Sequence, residues 1–194
     1  MDIAVIGAGG IGSYLVRSLH ELSERNQLPS SIITVYDDDS VELSNILYQD
    51  FDIDDVMENK ALSLSKRYTV NAIPRRLTDP EWLNKFDFVA CCVDNTATRR
   101  LVFNYCFSNP DIDFVDLRSE GKSYAVFTKE GATLGGMLKT LPMEDIEAGS
   151  CQLDVDKRAG IIQQGNKIVA LIGSQVILDR ARGVKTPLKL RQTL

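Results

Sequence analysis

The chain has one histidine, His20, in 194 residues. It lies in a predicted helix with no partner residue in the pattern around it, and it reads as a surface or packing residue. Chemistry built on an imidazole base is therefore not expected. Excess positive charge is also lacking: 22 Lys and Arg face 27 Asp and Glu, a net charge of −5. That argues against a nucleic-acid partner, which needs a basic surface. No apolar run approaches the ~20 residues needed to cross a bilayer, so no membrane span is expected. A first strand beginning at Asp2 leaves no room for a signal peptide. The four cysteines form no C-x-x-C pair and no disulfide-scaffold spacing. Structural zinc is not expected, and a reducing, cytoplasmic location is. There are no internal repeats and no low-complexity segments.

What is present is ordinary for a soluble domain, with 44% hydrophobic and 25% charged residues. The length suits one α/β domain with a good core. Residues 1–183 are expected to form it, and residues 184–194, with Lys185, Lys189 and Arg191 around Pro187, a poorly ordered basic tail.

The chain opens with an apolar run, Asp2 to Ile6, followed at once by Gly7-Ala8-Gly9-Gly10-Ile11-Gly12. A strand, a glycine turn and a helix start in that order form a nucleotide-binding unit: one glycine makes the turn, one admits phosphates to the backbone, and one allows close helix packing. Ile11, Leu15, Leu19 and Leu22 mark a helix from about Ile11 to Arg25. A second strand, Ser31 to Tyr36, ends in Asp37-Asp38-Asp39, where an acidic residue commonly holds a ribose. A polar, irregular segment through Ser44-Asn45 to Gln49 follows, and a helix from about Asp55 to Tyr68 carries Lys60 early. Asn71 to Pro74 reads as a short edge strand, because proline cannot donate to a ladder. Trp82 is expected to anchor the core. Phe86 to Val93 is nearly all apolar, as a central parallel strand should be. Cys91 and Cys92 within it point to opposite faces and read as buried thiols, and Cys106 also reads as core. Asp94-Asn95 closes that strand at its carboxyl end, and Asn95 or Thr96 caps the next helix, which runs to about Ser108. Strands at Asp113 to Leu117 and Lys122 to Thr128 follow, the latter alternating and antiparallel in character. Glu130 to Gly149 is expected as a long functional loop leading to Cys151. The last helix spans about Asn166 to Arg182, with Leu171 on its apolar face and Gly183 ending it.

These features suit attack of a carboxylate on the α-phosphate of ATP. Gly7, Gly9, Gly10 and Gly12 would form the phosphate cradle. Asp37, with Asp39, would serve the ribose end, and Lys60 would neutralise phosphate. Asp94 would hold Mg2+, which screens the triphosphate and helps pyrophosphate leave. Asn45 and Gln49 would contact the reacting phosphate.

Asp37-Asp38-Asp39-Ser40-Val41-Glu42-Leu43-Ser44-Asn45 is the specific element, since ordinary NAD-binding domains lack it. With the glycine turn, Asn59-Lys60-Ala61 and Val93-Asp94-Asn95 followed by Arg99, it makes the chain resemble the ThiF/MoeB-type superfamily, which includes activating enzymes for ubiquitin-like proteins. The resemblance covers residues 1 to about 128 well and is fainter beyond. It implies a Rossmann-like three-layer α/β sandwich, its sheet mostly parallel with a C-terminal antiparallel portion. It also implies adenylation of the C-terminal glycine of a small β-grasp carrier protein, with ATP and Mg2+, in a homodimer or heterodimer. Cys151, in a polar Gly-Ser-Cys-Gln stretch, is similar to the family's reactive cysteine, which accepts an acyl group or moves sulfur. Tyr48 stands where the family usually carries an arginine, the arginine-bearing helix common before the first strand is not in the sequence, and the paired C-x-x-C zinc motifs are absent. A non-catalytic nucleotide-binding or scaffold member is the alternative, and a small NAD-dependent oxidoreductase ranks third.

Overall fold

The computed structural model describes residues 1–28, 30–143 and 154–193. Its centre is one seven-stranded sheet with helices on both faces, as expected of a three-layer α/β fold. The strands are β1 (Asp2–Ile6), β2 (Ile32–Tyr36), β3 (Asn71–Ile73), β4 (Phe88–Cys91), β5 (Asp113–Glu120), β6 (Ser123–Thr128) and β7 (Lys189–Thr193), in spatial order β3-β2-β1-β4-β5-β6-β7. The first five in that order run parallel, and β6 and β7 are antiparallel additions.

Strand pleating sorts the apolar residues into two cores. Ile3, Val5, Phe88 and Ala90 face α1 (Gly12–Glu24), α2 (Lys60–Arg67) and α6 (Gly165–Ala181). Ala4, Ile6, Val89 and Cys91 face α3 (Thr96–Ser108) and the short α4 (Leu134–Leu138). This period-2 division is why β1 and β4 read as continuous apolar runs: both of their faces are covered. Cys91 and Cys92 fall in opposite cores, as alternation requires. The short α5 (Asp154–Arg158) precedes α6.

Local chemistry sets the helix boundaries. Ile11, Leu15, Val16 and Leu19 give α1 its buried stripe. Asn59 caps α2 by accepting the Leu62 N–H at 3.1 Å, and Asn95 caps α3 by accepting the Thr98 N–H at 2.8 Å. Gly183, at φ +73°, ends α6 and donates to the Arg180 carbonyl at 3.0 Å.

Several expectations are corrected. The helix anticipated from Asp55 begins at Lys60. Asp52 and Asp55 form a reciprocal capping box around a separate 3-10 turn, Ile53–Asp55, and Met57 at φ +74° breaks the chain direction. Trp82 is only half-buried, and the neighbouring Leu83 is the fully buried anchor. The segment after Glu130 contains α4, capped by Thr133. Leu171 is 61% exposed, so the apolar stripe of α6 passes beside it. The end of the chain is not a loose tail: Lys189–Thr193 pairs with β6. Its mostly polar residues hid it because an edge strand with little burial needs no apolar face.

Candidate functional site

The chain runs from β1 to β2 on one side and returns to β4 on the other. That is a topological switch point, and it opens a crevice at the carboxyl ends of the three strands. The crevice is a cleft of about 770 Å³, lined by Gly7, Gly9, Gly10, Asp37, Asp39, Asn45, Gln49, Lys60 and Asp94 among others. The fold thus gathers residues as far apart in sequence as Gly7 and Asp94 around one space.

The glycine turn leaves β1 with Gly7 at φ +94°, a left-handed conformation that favours glycine. The Gly7 N–H donates to the Tyr36 carbonyl at 2.9 Å, which ties the turn to the end of β2. Gly12 lies outside the cleft lining. A Cβ on Gly12 would stand 1.8 Å from the Gly7 carbonyl oxygen, so this glycine permits α1 to start against the turn. Gly9 has open space where a side chain would project.

Asp37 is 9% exposed, and both its oxygens are engaged. One accepts the Ala8 N–H at 2.6 Å and the other the Asp39 N–H at 2.9 Å. A carboxylate retains further acceptor positions after two such bonds, so this residue fixes the glycine turn and still presents acceptor capacity to the cleft. Burial pushes its pKa up to about 6, with the Lys60 ammonium and the two N–H donors opposing the rise. Lys60 is buried, with Nζ 2.9 Å from Asp39 Oδ2. Burial works against its charge, but Asp37, Asp39 and Asp94 outweigh that and hold its pKa above the ordinary lysine value. Asp94 has its pKa raised chiefly by burial, with Asp39 adding to the effect.

The Asn45 Oδ1 accepts the Glu42 N–H at 3.0 Å, and its Nδ2 lies 3.5 Å from the Tyr48 hydroxyl. Tyr48 is 7% exposed and faces the cleft. Gln49 is buried there too, and its Oε1 has no hydrogen-bond partner among the described residues. Buried unpaired acceptors of this kind call for a partner, and a ligand in the cleft can supply one.

Five carboxylates line the cleft, Asp37, Asp38, Asp39, Glu42 and Asp94, against two cations, Lys60 and Arg76. A polyphosphate entering it needs added positive charge. The oxygen-only donor set suits a hard cation such as Mg2+. Carboxylate oxygens of Asp37, Asp38 and Asp39 lie within 4.8 Å of one another, but Asp37 is held by backbone N–H groups and Asp39 by Lys60. Asp94 lines the cleft as an exposed carboxylate in the field of Lys60 and Arg99, and its oxygens suit a magnesium ligand.

Arg76 escaped the sequence reading. Its signal was position, just beyond the carboxyl end of β3, where open sheets bind ligands. Cys151 lies outside the described residues. Cys91, Cys92 and Cys106 are buried, and burial pushes the Cys91 thiol up to about 11 and Cys106 to about 12, which suits inert core thiols.

The ThiF family model matches residues 1–193. The chain belongs to the ThiF family. Among solved structures, this ThiF domain is similar to PaaA, with 16% identity over 100% of this chain and 60% of that one, at TM-score 0.66. It is also similar to E. coli MccB solved with AMPCPP and MccA, with 19% identity over 98% of this chain and 59% of that one, at TM-score 0.65. MccB solved with ATP matches at 18% identity, 98% and 59% coverage, and TM-score 0.66. At such identities the likeness shows the fold. The chain spans about three-fifths of the length of these structures. No curated protein matches it in sequence. No helix among the described residues is long and apolar enough to cross a membrane.

Proposed function

We propose that the cleft binds ATP with Mg2+ and adenylates the C-terminal glycine carboxylate of a small ubiquitin-like or sulfur-carrier protein of β-grasp type. The observation that carries this reading is the convergence of the glycine turn, Asp37, Lys60 and Asp94 on one cleft at the strand ends. The structures of MccB with ATP and AMPCPP support a nucleotide in this fold, and those with MccA support a small polypeptide partner. In the reaction, a carboxylate oxygen of the carrier forms a bond to the α-phosphorus. The bond from that phosphorus to the α,β-bridging oxygen breaks, and pyrophosphate leaves with the electron pair. Backbone N–H groups of Gly9 and Gly10 would cradle phosphate oxygens, and Asp37 would hold the ribose with Asp39 beside it. Lys60 would follow the charge that builds on the leaving group. Asn45 and Gln49 would orient the α-phosphate. Mg2+, held by Asp94, would screen the triphosphate charge. Cys151 would accept the acyl group or move sulfur afterwards, a cytoplasmic homodimer or heterodimer is the proposed assembly, and the unit would be one domain that includes β7.

The test is exchange of labelled pyrophosphate into ATP with Mg2+ and candidate carriers ending in glycine. Carrier-dependent exchange supports the reading, and its absence with ATP binding intact overturns it. The second reading, a non-catalytic nucleotide-binding scaffold, draws on Tyr48 in the cleft wall and the excess of carboxylates there. ATP binding without turnover, unaltered by Asp94→Asn, would favour it. Preference for NAD over ATP in a titration would overturn both in favour of an oxidoreductase.

A further inference from the structure

The ends of β1, β2 and β3 lie side by side, about 4.8 Å apart at each step. If phosphates rest on the glycine turn after β1 and the ribose on Asp37 after β2, the nucleobase extends to the end of β3. There the cleft wall is Arg76 and Leu77. Leu77 is 2% exposed and packs into the core behind the wall, while the cleft lining also carries the exposed apolar side chains of Leu43 and Met57.

Arg76 is held for this position. Its Nε lies 3.3 Å and 3.2 Å from the two carboxylate oxygens of Asp38, which also lines the cleft. The adjacent Arg75 places its guanidinium 5.0 Å from the Trp82 ring centroid and anchors the segment on the outside. The Asp38 carboxylate offsets the Arg76 charge, which makes Arg76 a poor phosphate ligand. Arg76 thus presents a planar, weakly hydrated group in a cleft wall that also carries apolar residues, and guanidinium planes stack well on aromatic rings.

We infer that Arg76, positioned by Asp38, stacks on the nucleobase and sets the affinity for ATP over its bare polyphosphate. The inference rests on the nucleotide reading of the cleft and adds the base-recognition residue to it. It does not require adenylation.

The test is calorimetric titration of ATP and of inorganic tripolyphosphate, each with Mg2+, into wild type, Arg76→Ala, Arg76→Lys and Asp38→Asn. Arg76 is half-exposed in a surface ion pair, so these changes leave folding intact. Arg76→Ala should shrink the ratio of ATP to tripolyphosphate affinity about tenfold. Arg76→Lys, which keeps charge but loses the plane, should shrink it nearly as much, and Asp38→Asn should shrink it less. An equal loss for both ligands would place Arg76 at the phosphates and overturn the inference, as would an unchanged ratio. Wild type that binds ATP but fails to exchange pyrophosphate sinks only the adenylation reading. Wild type that binds neither ligand sinks both.

Discussion

Two clusters of charge, one in the cleft and one around Asp116, are built to opposite plans. In the cleft, Asp37, Asp39 and Asp94 surround a single Lys60 and open onto free space. In the other cluster, Asp116 is fully buried between Arg99 and Arg118, with Nε distances of 3.3 Å and 2.6 Å. Arg118 also lies 5.1 Å from the Phe127 ring centroid and 5.9 Å from that of Phe103, and burial holds its pKa below the ordinary arginine value. The first cluster has surplus acid and room for a polyanion with its cation. The second is closed, with Arg118 packed on rings. Burial of charge alone does not mark a working site; unfilled space beside it does.

The comparison can be broken at four points. Removing the central acid of the closed cluster should be costliest for folding. Asp116→Ala leaves two arginines with no buried counter-charge and should lower stability by about 3–5 kcal/mol in urea titration, with ATP affinity of the folded protein little changed. A small stability loss would mean that the two clusters do not differ as described. In the open cluster the larger effect should fall on activity: Lys60→Ala should cut pyrophosphate exchange about 10²- to 10³-fold.

The third point is pH. Asp37 titrates near 6 when folded and at 3.8 ordinarily. The folded protein therefore holds the proton longer, and native stability contributed by this group is full below pH 3.8 and declines as pH rises toward 6. The loss is at most about 3 kcal/mol. Comparing urea midpoints at pH 4 and pH 7 in wild type and Asp37→Asn checks this, because the variant should lose that decline. The smallest effect is at the start of α3. Asn95→Ala removes the α3 cap and should cost about 1 kcal/mol in a thermal melt.

Much of this was legible in the chain. The glycine turn after an apolar run gave β1 and the start of α1, because both depend on local pattern. The Asp-x-Asp-x-Val-x-x-Ser-Asn stretch pointed to residues that do line the cleft. Lys60 was found by its place early in a predicted helix and by the Asn59-Lys60-Ala61 resemblance, but its pairing with Asp39 sits beside a bridge between Ser40 and Asn59 that no periodicity reveals. Arg76 was missed for the same reason: its role depends on β3 lying beside β2, a tertiary fact. β7 was missed because an edge strand of mixed polar residues resembles a tail. The Asp116 cluster went unseen because Arg99 joins Asp116 and Arg118 of β5 only when α3 packs against that strand.

The strand formed by Lys189–Thr193 has one more consequence. It covers the free backbone of β6, a strand carrying Tyr124, Val126 and Phe127. An uncovered strand of that composition is a template for sheet growth between molecules, and the lysine and arginine of β7 present a charged rim in its place. The last residues of the described chain thus act as a guard on solubility: a copy cut before Lys189 would keep its cleft and gain a sticky side.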